Sequence, residues 1–210
     1  MALGINTEVS SGEGFMGYVK YDARAGRIFT PIRSQDSGGN WTTEDEEVTN
    51  KFQAVFDLEN MEVGWILFYP GAAPSYEMVK LGEAFPAKPS DKHKQGFRFL
   101  MKLGKDCGNE VRTFSHTAKV VLGPIDELHT LYEKEKASHP GQLPVVKLVK
   151  TVAIKSGSGD KSSTNYSPVF EVVKWVDRSA MDGAAVKEEA PEPKPVEKKL
   201  PDGDSGSEEF

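Results

Sequence analysis

The spacing of apolar side chains changes period twice along this chain. Up to about residue 114 they alternate in short runs. Phe52, Ala54 and Phe56 share one face, and Glu62 to Tyr69 is a nearly continuous apolar run. With the turn at Leu58–Met61 between them, they predict a hairpin over 51–69. Tyr18–Tyr21 and Arg27–Thr30, joined across Asp22–Gly26, predict an N-terminal hairpin. Phe97–Leu103 predicts a further strand and Glu110–Phe114 a short one. The stretches 34–50 and 71–95 are rich in Gly, Pro, Thr and acids, and read as loops.

The period then becomes helical. Leu122, Ile125, Leu128, Leu131 and Tyr132 recur on one side, with Glu127, Glu133, Lys134, Glu135 and Lys136 on the other. Pro124 suits the first helical position and Pro140-Gly141 a stop. Val145–Lys155 and Tyr166–Val176 alternate once more. Three strands, one helix and two strands is the order of a five-stranded, partly open oligonucleotide-binding (OB) barrel. The expected fold is therefore mainly β: an OB-like barrel with one helix between its third and fourth strands and an extra N-terminal hairpin. An open antiparallel α+β sheet is the alternative.

Composition divides the chain near Ala180. Residues 181–210 hold nine acids and four lysines, a charge of −5. The whole chain carries −6, so residues 1–180 carry only −1. The acidity belongs to the tail and does not exclude an anionic ligand for the body. The tail is poor in large apolar residues, and Ala190–Pro195 is a stiff proline-rich spacer. Residues 1–180 are expected to form one binding domain and 181–210 a disordered acidic tail. One cysteine, Cys107, precludes an intrachain disulfide. No apolar run approaches the roughly 20 residues of a bilayer span, and the first residues lack a signal-peptide pattern. These features read as a soluble, cytoplasmic protein with no membrane partner.

Sequence-tolerant binding of single strands needs cations along the phosphates and ring faces against the bases. The two types interleave in three places. The first holds Tyr18, Lys20, Tyr21, Arg24 and Arg27. The second runs from Lys88 through Lys92, His93, Lys94 and Arg98, with Phe97 and Phe99 on the opposite face, and continues to Lys102 and Arg112. The third holds Lys150 and Tyr166. Trp41 is a further stacking candidate, since it lies among polar residues. Phe52, Phe56, Phe68 and Phe170 suit a core better than a platform.

The chain ends in Asp202, Asp204, Glu208, Glu209 and a terminal Phe210, with no base after residue 200. An acidic leash with an apolar tip suits docking into a small pocket ringed by basic groups. Together with the interleaved body, this end resembles the single-stranded-DNA-binding proteins of phages and prophages. The resemblance implies a protein that coats single-stranded DNA during replication or recombination. It also implies that Asp202, Asp204, Glu208, Glu209 and Phe210 recruit replication or recombination proteins. A homo-oligomer is compatible with it, and it implies no cofactor.

Rival classes have less support. The four histidines and Cys107 lack metal-ligand spacing, and no phosphate-binding Gly-rich loop is present. A metal-dependent nuclease would need carboxylates gathered from several strands. A protein-interaction domain of phage origin would share the tail and lack a basic groove.

Overall fold

The computed structural model describes residues 17–69, 73–157 and 162–184. Arg178–Ala184 is a 3₁₀ segment, so the expected tail boundary at 181 falls inside a described element; the rest of the acidic tail, with its expected disorder and docking residues, lies outside the described residues. The architecture is mainly β. Ten strands and one α-helix follow in the order β1 (Tyr18–Asp22), β2 (Arg27–Gln35), β3 (Trp41–Glu47), β4 (Gln53–Phe56), β5 (Glu62–Leu67), β6 (Ser75–Lys80), β7 (Lys94–Leu103), β8 (Val111–His116), α1 (Lys119–Glu135), β9 (Gln142–Ser156) and β10 (Ser163–Asp177). All ten strands belong to one sheet, which is not closed into a ladder-paired barrel.

The expected hairpin over 51–69 is not formed. β4 and β5 do not pair with each other. Both lie antiparallel to β7, end to end: Ala54 to Phe56 face Leu103 to Met101, and Glu62 to Ile66 face Arg98 to Lys94. They form one strand interrupted by a 3₁₀ turn at Leu58–Asn60, whose Leu58 is fully buried. The sheet branches at this break. β4 continues to β9 and β10, while β5 continues to β6. Alternation identified both strands, but their common partner lies 28 residues or more downstream, where local pattern carries no information.

Two strands form where loops were expected. β3 pairs with β2 although its sequence is Trp-Thr-Thr-Glu-Asp-Glu-Glu, because Glu46 and Glu47 meet Lys51 and Arg27, and Asp45 meets Lys20. Its side chains are nearly all exposed, so no apolar face announced it. β6 pairs with β5 from Glu62↔Lys80 to Leu67↔Ser75.

The core lies between the sheet and α1. Alternation along β7 sends Phe97, Phe99, Met101 and Leu103 inward. Phe99 meets Phe56, Phe97 and Phe114 at ring-centroid distances of 5.1, 5.5 and 5.7 Å. The helix buries Val121, Ile125, Leu128 and Tyr132, whereas Leu131 is exposed. The buried stripe thus runs through Val121, and Leu122 is only partly buried against the core.

Pro124 sits inside α1, six residues in, not at its first position. Proline has no N–H, so the Val120 carbonyl loses its helical partner. Ser167 of β10 supplies the replacement: its hydroxyl donates to that carbonyl at 2.8 Å. The proline is tolerated because a neighbouring strand satisfies the exposed acceptor. Ser167→Ala should cost about 1 kcal/mol, the low end of the penalty for an unsatisfied acceptor because the carbonyl is only part-buried, read as a lower urea midpoint. Unchanged stability would show that water satisfies the carbonyl equally well.

The end strand β10 approaches β1 and the β1–β2 turn without a ladder. The Tyr166 N–H donates to Ala23 O at 2.6 Å, and the Tyr21 hydroxyl donates to Tyr166 O at 2.9 Å. The turn between β1 and β2 makes room for this through Gly26. Its φ is +68°, and a Cβ there would press on the Tyr166 ring.

Candidate nucleic-acid interface

The side of β7 turned away from the core carries Arg98 and Leu100, and cross-strand register extends that face in both directions. Lys80, Glu62, Arg98 and Ser115 form one row over β6, β5, β7 and β8. Leu100, Thr113 and Tyr18 form the next row over β7, β8 and β1. The pairing of Tyr18 with Thr113 is part of the parallel β1–β8 contact. That contact brings the N-terminal hairpin alongside a strand almost a hundred residues away.

This face is concave. Tyr76 of β6 lies within 3.1 Å of the Ser115 hydroxyl on β8. In a flat sheet those strands would be three spacings apart, about 14 Å, too far for a tyrosine. The sheet therefore curls over between β5 and β7. Gly64 and Gly96 face each other at the bend. A Cβ at Gly64 would overlap the Glu77 carbonyl, and one at Gly96 would overlap the His116 carbonyl. Glycine is required at both, because backbones approach there without room for a side chain.

The result is a groove of about 1340 Å³. Its floor is the outer face of β7, β8 and β1, and its wall is β6 with the segment before it. Tyr18, Phe68 and Tyr69 line it and are 43%, 45% and 48% exposed. Tyr76 also lines it, with the Arg98 guanidinium 4.8 Å above its ring. The cations are Lys20, Lys80 and Arg98, and the carboxylates are Glu62 and Asp57. Arg98 Nε donates to Glu62 at 2.6 Å. Asp57 accepts from Arg178 at 3.1 Å, and the same guanidinium also meets Glu59. Arg178 balances Asp57, Glu62 balances Arg98 and Asp45 of β3 balances Lys20 at 3.1 Å, which leaves Lys80 as the groove's net positive charge.

The structure gathers only part of the expected cluster here. Tyr18, Lys20 and Arg98 line the groove as anticipated. Tyr21 contributes to the lining, but its ring is in the core and burial pushes its hydroxyl pKa upward. His93 is buried, its ring nitrogens meeting Ser90 at 2.8 Å and Ser75 at 3.4 Å. It clamps the segment before β7 to the start of β6. Arg112 is turned inward, donating to Pro31 O at 2.8 Å and to Glu110 at 2.7 Å. Lys88 sits over the Trp65 ring, 5.4 Å from its centroid. Arg24 is exposed on the β1–β2 turn, and Arg27 pairs with Glu47 on β3. Lys92, Lys94 and Lys102 lie on or beside β7, Trp41 opens β3, and Lys150 lies far along β9. Tyr166 packs on the β1–β2 turn. None of these eleven, from Arg24 to Tyr166, lines the groove.

Four groove residues escaped the sequence reading. Phe68 and Tyr69 follow an apolar strand, and Phe68 was assigned to the core. It is exposed because β5 ends at Leu67. Tyr76 and Lys80 lie in a segment read as loop. The alternation of Tyr76, Met78 and Lys80 against Glu77 and Val79 was the signal for a strand there.

His116 closes one end of the groove and holds a fixed tautomer. Its Nδ1 accepts the Ala118 N–H at 2.9 Å, where α1 begins. Its Nε2 therefore bears the proton and donates to Tyr21 O at 3.2 Å. A second proton would have to enter at Nδ1 and break the first bond. Burial lowers the His116 pKa below its ordinary value, against smaller upward pulls from the Tyr21 carbonyl and Asp22. The unfolded chain thus binds more protons as pH falls through about 6.5, and folding stability drops below that pH. Urea midpoints measured from above to below it should decline for the wild type. His116→Asn should flatten the decline; an unchanged slope would assign it to other groups.

Among the described residues, no group of three or more His, Cys, Asp or Glu is placed to hold a metal ion. No helix among them is long and apolar enough to cross a membrane. No family model, no curated protein and no solved structure matches the chain.

Proposed function

We propose that the protein binds single-stranded DNA, without strong sequence preference, in the groove on the outer face of β7 and β8. The observation that carries this reading is the meeting of three exposed rings, Tyr18, Phe68 and Tyr69, with Lys20, Lys80 and Arg98 in one open trough. Ring faces stack on unpaired bases whatever their identity, and the cations follow the phosphates. A duplex has no free base faces to offer, so the rings favour unpaired strands.

Chain order supports an OB-like reading of the central part. With β4 and β5 taken as one interrupted strand, the sequence runs β4/β5, β7, β8, α1, β9, β10. That is three strands, a helix and two strands, and the groove lies on the second and third. OB barrels take oligonucleotides on that face and through flanking loops. β6 falls within the connection between the first and second strands, where such a flanking element belongs. β1, β2 and β3 are additions beside the third.

In this reading the protein coats exposed strands during replication or recombination. The tail residues Asp202, Asp204, Glu208, Glu209 and Phe210 recruit other proteins of those processes. The proposal rests on the groove for DNA and on composition for the tail.

A titration of labelled oligo-dT followed by fluorescence anisotropy tests it. Lys80, with Lys20 and Arg98 exchanging Asp45 and Glu62 for phosphates, displaces condensed counterions and gives a log–log salt slope no steeper than about −2, since each single-strand contact contributes roughly −0.7. A parallel titration with oligo-U separates DNA from RNA. Absence of binding at low ionic strength, or affinity indifferent to salt, would remove the proposal.

A further inference from the structure

We propose that two copies of the chain pair edge to edge through the outer half of β9, about a two-fold axis. β9 leaves the body of the sheet near Leu148, whose N–H donates to Phe52 O at 3.3 Å. β4 accompanies it only over Val145–Lys147. From Val149 to Ser156 its ladder runs to β10 alone. Among the described residues, no other backbone hydrogen bond reaches that stretch. A two-stranded ribbon is marginally stable by itself in water. Its open edge is a template for a further strand.

This edge carries few of the usual guards. Val149–Ser156 contains two lysines, Lys150 and Lys155, no proline and four β-branched residues. Val149, Val152 and Ile154 are 49%, 40% and 42% exposed. Natural sheets protect such edges with charges, prolines or a cover. Here the covering element must come from elsewhere, and a second copy of the same edge fits.

An edge paired with its own image runs antiparallel and makes the same contact twice. With Val152 opposite Val152, Ile154 faces Lys150 and Lys155 faces Val149. No like charges meet. On the face of β9 that carries Val152 and Ile154 lies an apolar groove of about 420 Å³ beneath α1. Pro124, Glu127, Leu131 and Phe170 are among its other lining residues. Glu127 is the charged residue of that lining. The pairing sets the partner's Lys150 beside Ile154, on the side of Glu127, so opposite charges approach across the axis. The apolar stripe of Leu131, Val152 and Ile154 then continues from one copy into the next. The pairing uses a surface separate from the DNA groove and does not depend on the nucleic-acid reading.

Sedimentation equilibrium of the full chain at tens of micromolar should give twice the 23.1 kDa chain mass. Val152→Lys sets two ammonium groups face to face at the axis and should return the mass to that of one chain, with unchanged circular dichroism. Val152→Cys should give a covalent dimer under mild oxidation, whereas Val173→Cys on β10 should not. A wild-type chain at single mass overturns the proposal. So does a dimer that survives Val152→Lys or fails to cross-link at position 152. If the wild type is itself a single chain and Val152→Lys lowers its oligo-dT affinity, the pairing is overturned and the arm belongs to nucleic acid.

Discussion

Oligo-dT affinity should fall about a hundredfold when Tyr18 and Tyr69 are both replaced by alanine. Each ring face is worth roughly 1–3 kcal/mol against a base, and about 1.4 kcal/mol corresponds to tenfold. Both rings are about half exposed in the groove, so truncation removes a platform and leaves no core cavity. The salt slope should stay as in the wild type, because Lys20, Lys80 and Arg98 remain. Substituting Lys20 and Arg98 by alanine should do the reverse, flattening the slope by about 1.4 for two lost phosphate contacts. Anisotropy titrations at several salt concentrations separate the two behaviours. If the tyrosine pair changed affinity less than twofold, the rings would not be the platform, and the groove would bind through charge alone.

Replacing Phe56 by alanine should destabilise the fold by about 3–5 kcal/mol, the usual range for a buried aromatic. Phe56 is fully buried and meets Phe52, Phe99 and Phe170 at 6.3, 5.1 and 5.8 Å. It ends β4, immediately before the chain leaves β7 for the 3₁₀ turn at Leu58–Asn60. Its ring therefore binds the interrupted strand to both β7 and β10. The neighbours are large planar rings held by the sheet, so the cavity cannot collapse easily. Urea denaturation monitored by tryptophan fluorescence reads the loss. A cost below 1 kcal/mol would mean that the core repacks around the gap.

Much of the fold was legible because apolar periodicity survives wherever an element buries one face. β7 alternates Phe97, Phe99, Met101 and Leu103 against Arg98, Leu100 and Lys102, and its inward set is the core. α1 was legible for the same reason, although its buried side runs through Val121 and leaves Leu131 outside. β3 was not legible, since ion pairs to Lys20, Arg27 and Lys51 hold it in place of an apolar stripe. The partnership of β4 and β5 with β7 was hidden because register over long separations leaves no local trace. The groove was half legible. Tyr18, Lys20 and Arg98 stood out as rings beside cations, while Tyr76 and Lys80 belong to a strand with no fully buried side chain. The basic run from Lys88 to Arg98 is the strongest by composition, and Arg98 is its member that lines the groove. Yet His93 clamps the backbone and Lys88 caps an indole, so density of charge in sequence did not translate into a shared surface.

The branch point at β4 and β5 separates two duties within one sheet. The half that runs through β4 and the first part of β9 is anchored on the aromatic core through Phe52, Phe56 and Val146. The half that runs through β5 ends in β6, which is laddered along one edge, has no fully buried side chain, and is otherwise tied by the Tyr76–Ser115 and His93–Ser75 hydrogen bonds. Opening that flap costs less than unfolding the domain, because few apolar contacts are lost. On the function proposed above, such an opening would admit a strand from the side, with no need to thread a free end.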